Sequence, residues 1–283
     1  NAAGCEVTLL IRKDRVLSTW ERRASMTLTR ELKRRGVNVI ARTAVDRVDT
    51  GANLGATVHY RQGDSDEDRT AYGEVVLAAI GRVPNTDADW FRSSGLKLDE
   101  RGYVTVDGYG RTNLDGVWAL GDITPGHALA HRAFEQGITI AEKIAGADPK
   151  PVLDDTVPQV VFSFPEAASV GLTLDQAKAR EDVVEPKETA YPMLSNARML
   201  MSGEGGSMTV VSGAFANNPD MQVVLGVHIV SPIASDLIAE AEQLVGNRVP
   251  LADAARLIHP HPTFSETLGE ALLKADGRPL HTR

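Results

Sequence analysis

The chain has 283 residues, 42% of them hydrophobic and 24% charged, with a formal net charge of −8. That length holds about two domains, and the balance is that of a soluble globular protein. The negative charge argues against nucleic acid or an anionic membrane as the main partner, and no apolar run approaches the ~20 residues that span a bilayer.

The chain opens on Asn1-Ala-Ala-Gly4 without an initiator Met and runs straight into an apolar segment, as a chain cut open inside a domain does. It has no basic-then-apolar signal segment. Its single cysteine, Cys5, excludes an intrachain disulfide and fits a reducing compartment, so a cytoplasmic location is expected. Residues 7–11 form an apolar run suited to a buried parallel strand. Arg12-Lys-Asp-Arg15 follows, and reads equally as a solvated turn or as an anion-binding strand end. Residues 25–35 carry Met26, Leu28 and Leu32 among polar side chains and stop before Gly36, which predicts a helix with a glycine cap. Residues 37–40 form the next strand. Strand, helix, strand in this order is a repeat of a nucleotide-binding sheet. Alternation over 44–49 and 56–60 predicts an antiparallel hairpin, with the acidic run 63–68 as a solvated loop. Residues 74–80 read as another buried strand, ended by the turn Gly81-Arg-Val-Pro-Asn85.

Residues 102–106 read as a strand, and 116–122 as a buried strand ending in Gly121-Asp122. A carboxylate at the carboxyl end of such a strand lies where α/β folds bind ligands, although Gly-Asp alone is also a common turn. Pro125-Gly-His-Ala-Leu-Ala-His131 leads into a helix to about Ala145, with Phe134, Ile138, Ala141 and Ile144 as its core-facing side. Asp148-Pro-Lys-Pro151 is a proline-rich link. Beyond it, 157–162, 185–191, 208–212 and 223–230 read as strands, and 233–245, 251–258 and 263–275 as helices. This is an α+β layout, an antiparallel sheet covered by helices.

Near the C-terminus stands His259-Pro-His-Pro-Thr-Phe-Ser-Glu266. Two prolines stiffen the backbone around His261. Thr263 and Glu266 have the spacing of a capping box, which predicts a helix starting at Thr263 with Glu266 as its third residue. An imidazole held rigidly, with a carboxylate nearby to orient it, is the usual construction of a general base. His259 and His261 find no Cys or acidic pair at ligand spacing, so no metal site is expected.

Several of these segments resemble the pyridine nucleotide-disulfide oxidoreductases. The His259–Glu266 stretch resembles that family's C-terminal signature, which implies His261 as acid/base and Glu266 as its orienting partner. Gly81-Arg-Val-Pro-Asn85 resembles its Ala-Thr-Gly-Arg-x-Pro-Asn motif, with Ala79-Ile80 replacing Ala-Thr, and implies a place for Gly81 near the cofactors. The segment ending in Gly121-Asp122 resembles its second flavin motif, which implies that Asp122 accepts hydrogen bonds from the ribityl hydroxyls of FAD. The helix after it implies that Leu129, Ala130 and His131 approach the flavin. Phe164 to Gly171 and Asn196-Ala-Arg198 match segments of its interface domain. The implied fold is α/β and α+β: partial Rossmann-like nucleotide-binding domains, then an antiparallel-sheet interface domain. The implied division is 1–86 as the remainder of a nicotinamide-binding domain, 87–150 as the C-terminal segment of an FAD-binding domain, and 151–283 as the dimerisation domain.

The family's two Gly-x-Gly-x-x-Gly motifs and its Cys-x4-Cys pair do not occur here. The resemblance therefore implies the C-terminal part of an enzyme that moves electrons between a nicotinamide, FAD and a disulfide substrate, with the isolated chain inactive. The pattern looks closest to the lipoamide dehydrogenases, which implies lipoyl substrates, including lipoyl domains of 2-oxo acid dehydrogenase complexes. Arg12 resembles the phosphate-binding Arg of NADP-dependent glutathione reductases, with Lys13 or Arg15 as a second charge, so the nicotinamide is NAD or NADP. The alternatives are a glutathione- or mycothione-reductase-like enzyme using NADPH, a flavin quinone reductase, or a non-catalytic dimerisation module. A homodimer is implied, with the apolar faces of 233–245 and 268–273 as expected contacts.

Overall fold

In the computed structural model, which describes residues 1–51 and 55–282, Thr8–Ile11 (β1) and Asn38–Ala41 (β2) lie parallel, with Ile11 opposite Ala41. Between them runs a helix, Arg22–Arg34 (α1). It starts earlier than the periodicity predicts because the buried Glu21 caps it, its carboxylate accepting the N–H groups of Arg23 and Ala24 at 2.6 and 2.7 Å. Gly36, at φ +87°, provides the left-handed residue that turns the chain into β2. Thr43–Thr50 (β3), Ala56–Gln62 (β4) and Arg69–Gly73 (β5) then form an antiparallel sheet. The predicted hairpin is its first two strands.

The strand expected over 74–80 does not form. Its apolar side chains are exposed, Ile80 to 91%. Apolar content makes a segment suitable for a strand, but a strand also needs a neighbour to take its backbone hydrogen bonds. None of the strands among the described residues flanks this one.

The chain divides into two compact units, Asn1–Ala78 with Val160–Arg283, and Ala79–Gln159. The second unit carries a short helix, Asp89–Ser93 (α2), and a long one, Ala130–Ile144 (α3). The strands expected over 102–106 and 116–122 shrink to isolated bridges, Leu98 with Val104 and Arg111 with Trp118. They surround a small core of Phe91, Val104 and Ala119. α3 buries a different side from the one predicted. Phe134 is 71% exposed, and Ile138, Ala141 and Ile144 are exposed with it, while Arg132, Thr139 and Ile140 are buried. Periodicity finds an apolar stripe but not the neighbour that covers it. The polar edge is buried because Arg132 is satisfied there, donating to Asp154 at 2.7 Å and to the Pro125 carbonyl at 2.6 Å.

The first unit contains a five-stranded sheet built from Gln159–Val161 (β6), Glu166–Gly171 (β7), Val183–Pro192 (β8), Ser207–Phe215 (β9) and Asn218–Ser231 (β10). Its order is β6-β7-β10-β9-β8, antiparallel from β7 to β8. Residues 207–214 and 223–231 are buried on both faces, which is why they read as apolar runs with little alternation. The short helices Leu174–Ala179 (α4) and Ala197–Ser202 (α5) connect its strands. Ala234–Gly246 (α6), Leu251–Ala254 (α7) and Glu266–Ala275 (α8) pack together with the sheet in the main core. α1 packs with β1 and β2 against Ala167 and Val230 in a second one. The expectation that α6 and α8 offer apolar faces to another subunit is corrected here. Leu237, Ile238, Leu244, Leu268 and Leu272 are buried in this chain's own core. Among the described residues no helix is long and apolar enough to cross a membrane.

Candidate active site

His261 and Glu266 meet as the sequence predicts. His261 Nδ1 lies 2.8 Å from Glu266 Oε1, and Thr263 N–H donates to Glu266 Oε2 at 2.7 Å. Both oxygens of one carboxylate are thus engaged, one by the ring and one by the backbone. The helix itself differs from expectation. α8 begins at Glu266, so Glu266 is its first residue, and only the carboxylate half of the predicted capping box forms. The Thr263 hydroxyl donates instead to the Pro260 carbonyl at 2.6 Å, which closes the turn around His261.

The electrostatics follow. Partial burial pushes the Glu266 carboxyl up, but the bonds from Thr263 N–H and His261 outweigh it and hold the group below the usual carboxylate range. A carboxylate can only accept, so His261 Nδ1 donates, and the basic lone pair of the neutral ring is on Nε2. The ring is 73% exposed. It is oriented from one side and open to proton exchange on the other.

Residues to which the sequence reading gave no part in this turn hold it in place. Asn196, buried, caps α5 by accepting Met199 N–H at 3.0 Å, and its Nδ2 donates to the Thr263 carbonyl at 3.1 Å. His259 turns inward and pairs with Glu240 of α6 at 2.8 Å, and that hydrogen bond raises its pKa. Gly269 of α8 makes room for it, since a Cβ there would lie 2.5 Å from His259 Nδ1. Beyond α8, His281 Nδ1 lies 2.8 Å from Glu270. Tyr191 is fully buried, and burial, followed by the carboxylates of Glu270 and Glu266, pushes its hydroxyl up to about 12. The Glu-x3-Glu spacing of Glu266 and Glu270 was the available signal, since it puts both carboxylates on one side of α8.

The predicted cofactor residues fall in two places. In the second unit, Gly121 and Asp122 form a 3₁₀ turn in which Gly121, at φ +72°, donates its N–H to Gln136 of α3 at 2.9 Å. The Asp122 carboxylate is mostly exposed, with Arg82 at 4.0 Å. Leu129 caps α3 with no side-chain hydrogen bond, so the N–H groups of its first turn, at Ala130 and His131, are left to other acceptors. The His131 ring lies 2.7 Å from the Pro158 carbonyl. Gly81 sits at φ +124° in open surroundings. A cavity of about 310 Å³ in this unit is lined by Tyr109, Arg132, Gln136 and Asp154, and includes none of the predicted residues. In the first unit, Arg12 follows β1 and is exposed. Among the described residues no group of three or more His, Cys, Asp or Glu side chains is placed to hold a metal ion.

Comparison with known proteins places the chain in a family. The profile of the pyridine nucleotide-disulphide oxidoreductase family matches residues 1–137, and that of the family's dimerisation domain matches 157–272. The chain is 36% identical over 280 residues to a dihydrolipoyl dehydrogenase of Cupriavidus necator, and 37% identical over 284 residues to one of Geobacillus stearothermophilus. Each alignment covers 98% of this chain and 57% of the relative. Among solved structures, LpdA from Mycobacterium tuberculosis superposes with a TM-score of 0.83 at 30% identity, over 96% of this chain and 57% of that one. The chain thus spans somewhat more than half the length of the relatives it matches.

Proposed function

Because this chain belongs to the pyridine nucleotide-disulphide oxidoreductase family, we propose that it supplies the acid–base pair and the assembly domain of an FAD-dependent enzyme of the dihydrolipoyl dehydrogenase type. The observation that carries this reading is the His261–Glu266 pair, held by Thr263 and Asn196 with Nε2 open. Nε2 takes the proton of an attacking thiol and returns it in the reverse direction. Glu266 stays ionised, fixes the tautomer and stabilises the imidazolium. The pair's place in a family of disulfide chemistry disfavours a non-catalytic module.

The second unit fits part of a flavin. The Asp122 carboxylate is free to accept hydroxyl hydrogen bonds, and the uncapped first turn of α3 offers N–H groups and the positive end of its dipole to an electron-rich ring. FAD, when bound, carries electrons between nicotinamide and dithiol. We assign 1–86 to nicotinamide binding, 87–150 to flavin binding and 151–283 to the interface. The dithiol that His261 serves belongs to a protein of the relatives' full length. The substrate is a lipoyl or related disulfide, including one carried on the lipoyl domains of a 2-oxo acid dehydrogenase complex. The assembly is a cytoplasmic homodimer, and its contacts draw on the exposed Phe162, Leu257 and Ile258.

The test is His261→Gln in a protein of the relatives' full length that carries this chain. The thiol–disulfide half reaction should fall by ~10²–10⁴-fold, while reduction of the flavin by nicotinamide stays near normal. Equal losses in both halves would overturn the assignment.

A further inference from the structure

The cavity of about 310 Å³ in the second unit is lined by α3 and by residues 106–110. Arg132, Gln136, Thr139 and Ile140 recur at the spacing that puts them on one side of α3. Across from them the chain comes close at Gly110, φ +79°, where a Cβ would lie 2.7 Å from Ile140 Cδ1. The charged groups of the lining are engaged within the protein. Asp154 Oδ1 accepts Arg132 Nε at 2.7 Å, and Arg132 Nη2 donates to the Pro125 carbonyl at 2.6 Å. Asp107 Oδ1 accepts the N–H groups of Tyr109 and Arg111 at 2.8 and 2.9 Å. The neutral groups are not engaged. Thr139 is 4% exposed, and its hydroxyl has no hydrogen-bond partner among the described residues. Nor has the Tyr109 hydroxyl, whose ring is held by Lys143 at 4.5 Å. Gln136 uses its Oε1 on Gly121 N–H at 2.9 Å, which leaves its Nε2 without a described acceptor. A hydroxyl buried without a protein partner calls for a bound molecule.

We propose that this cavity binds a small neutral polyhydroxy compound, a polyol or a sugar. The site does not depend on the oxidoreductase reading, because neither His261 nor Asp122 lines it. Its chemistry follows from the groups left open. Gln136 Nε2 can only donate, so the ligand must accept there, while the Thr139 and Tyr109 hydroxyls donate or accept. A hydroxyl-rich molecule meets all three. An anion would face the carboxylates of Asp107 and Asp154, with Arg132 already paired. An ammonium group cannot accept from Gln136. Ile140 and Val106 supply apolar surface for the C–H side of such a ligand. The volume is at the small end of ligand cavities, which run ~300–1,000 Å³, and suits a molecule of pentose or pentitol size.

The experiment titrates the 283-residue chain by calorimetry with xylitol, inorganic phosphate and methylammonium. Xylitol should saturate with a Kd of about 1 mM or below, and the two ions should bind about tenfold or more weakly. Thr139→Val and Tyr109→Phe keep the shape of the wall and remove one hydroxyl each. Each should weaken xylitol binding by about three- to tenfold, the loss expected for one hydrogen bond, at an unchanged melting temperature. Phe134→Gln, on the exposed side of α3, should leave binding unchanged. Failure of xylitol to saturate, or full affinity in both hydroxyl-removing variants, would overturn the proposal. So would phosphate or methylammonium binding as tightly as xylitol, which would make the cavity an ion site. Failure of the His261 experiment would sink the enzyme reading without touching this one.

Discussion

Glu266 binds two partners at once, and this sets the behaviour of the site. Without it, His261 loses its orienting acceptor and Thr263 N–H loses its only described one. Around the site, Gly269 is constrained by space rather than by backbone, because a methyl group there would meet the His259 ring at 2.5 Å. The ring cannot yield without breaking its bond to Glu240. Gly269→Ala, which on an open helix would stabilise, should therefore destabilise by ~1–3 kcal/mol. Urea denaturation checks this, and an unchanged or raised midpoint would show that the His259–Glu240 pair moves freely. The pairing of His261 was legible in sequence because its partner, Glu266, lies five residues on. That of His259 was not, because Glu240 is on another helix.

At the level of elements, two histidines pull stability in opposite directions with pH. His228, fully buried on β10, lies 2.7 Å from the Ser169 hydroxyl and 3.2 Å from the Leu172 carbonyl. Burial lowers its pKa, against the pull of Glu21. The unfolded chain therefore binds this proton more readily, and the stability His228 confers is present above about pH 6.5 and is lost as pH falls toward the folded value. His259 is the reverse case. Its bond to Glu240 raises its pKa, so its contribution is present below about pH 6.5 and is lost as pH rises through the folded value. His228→Gln should flatten the acid side of the stability profile and His259→Gln the neutral-to-alkaline side. Chemical denaturation across pH 5–9 reads both, and a single variant flattening both sides would contradict the assignment. On α3 the two apolar residue sets should also separate. Ile140→Ala should cost ~2–4 kcal/mol, while Phe134→Gln should stay within ~0.5 kcal/mol because its ring is already in solvent. Thermal melts of the two variants decide it. Equal losses would mean that Phe134 is covered.

For the molecule as a whole, the exposed apolar residues of the larger unit matter most. The stripes of α6 and α8 are consumed internally, whereas Ile258 stands 97% exposed beside Leu257, immediately before the turn that carries His261. The proposed homodimer would cover such residues. Sedimentation should show a dimer at micromolar concentration, and Ile258→Asp should shift it toward monomer without lowering the melting temperature of the subunit. A dimer untouched by the substitution would place the interface elsewhere on the surface.

Patterns spaced within a few residues were readable without coordinates: the β1-α1-β2 repeat, the runs that became β9 and β10, and the His261–Glu266 pair. Each depends on the backbone's own periodicity or on two residues that one turn must bring together. The tertiary structure decided what depends on a distant neighbour. It left 74–80 without a strand to pair with. It turned the Phe134 stripe outward and buried Arg132 against Asp154, and it put the apolar sides of α6 and α8 into their own sheet. It also gathered Tyr109 and Thr139 around one cavity. An apolar or charged side chain declares what it can do, but which partner removes it from water is settled only by the elements that arrive next to it.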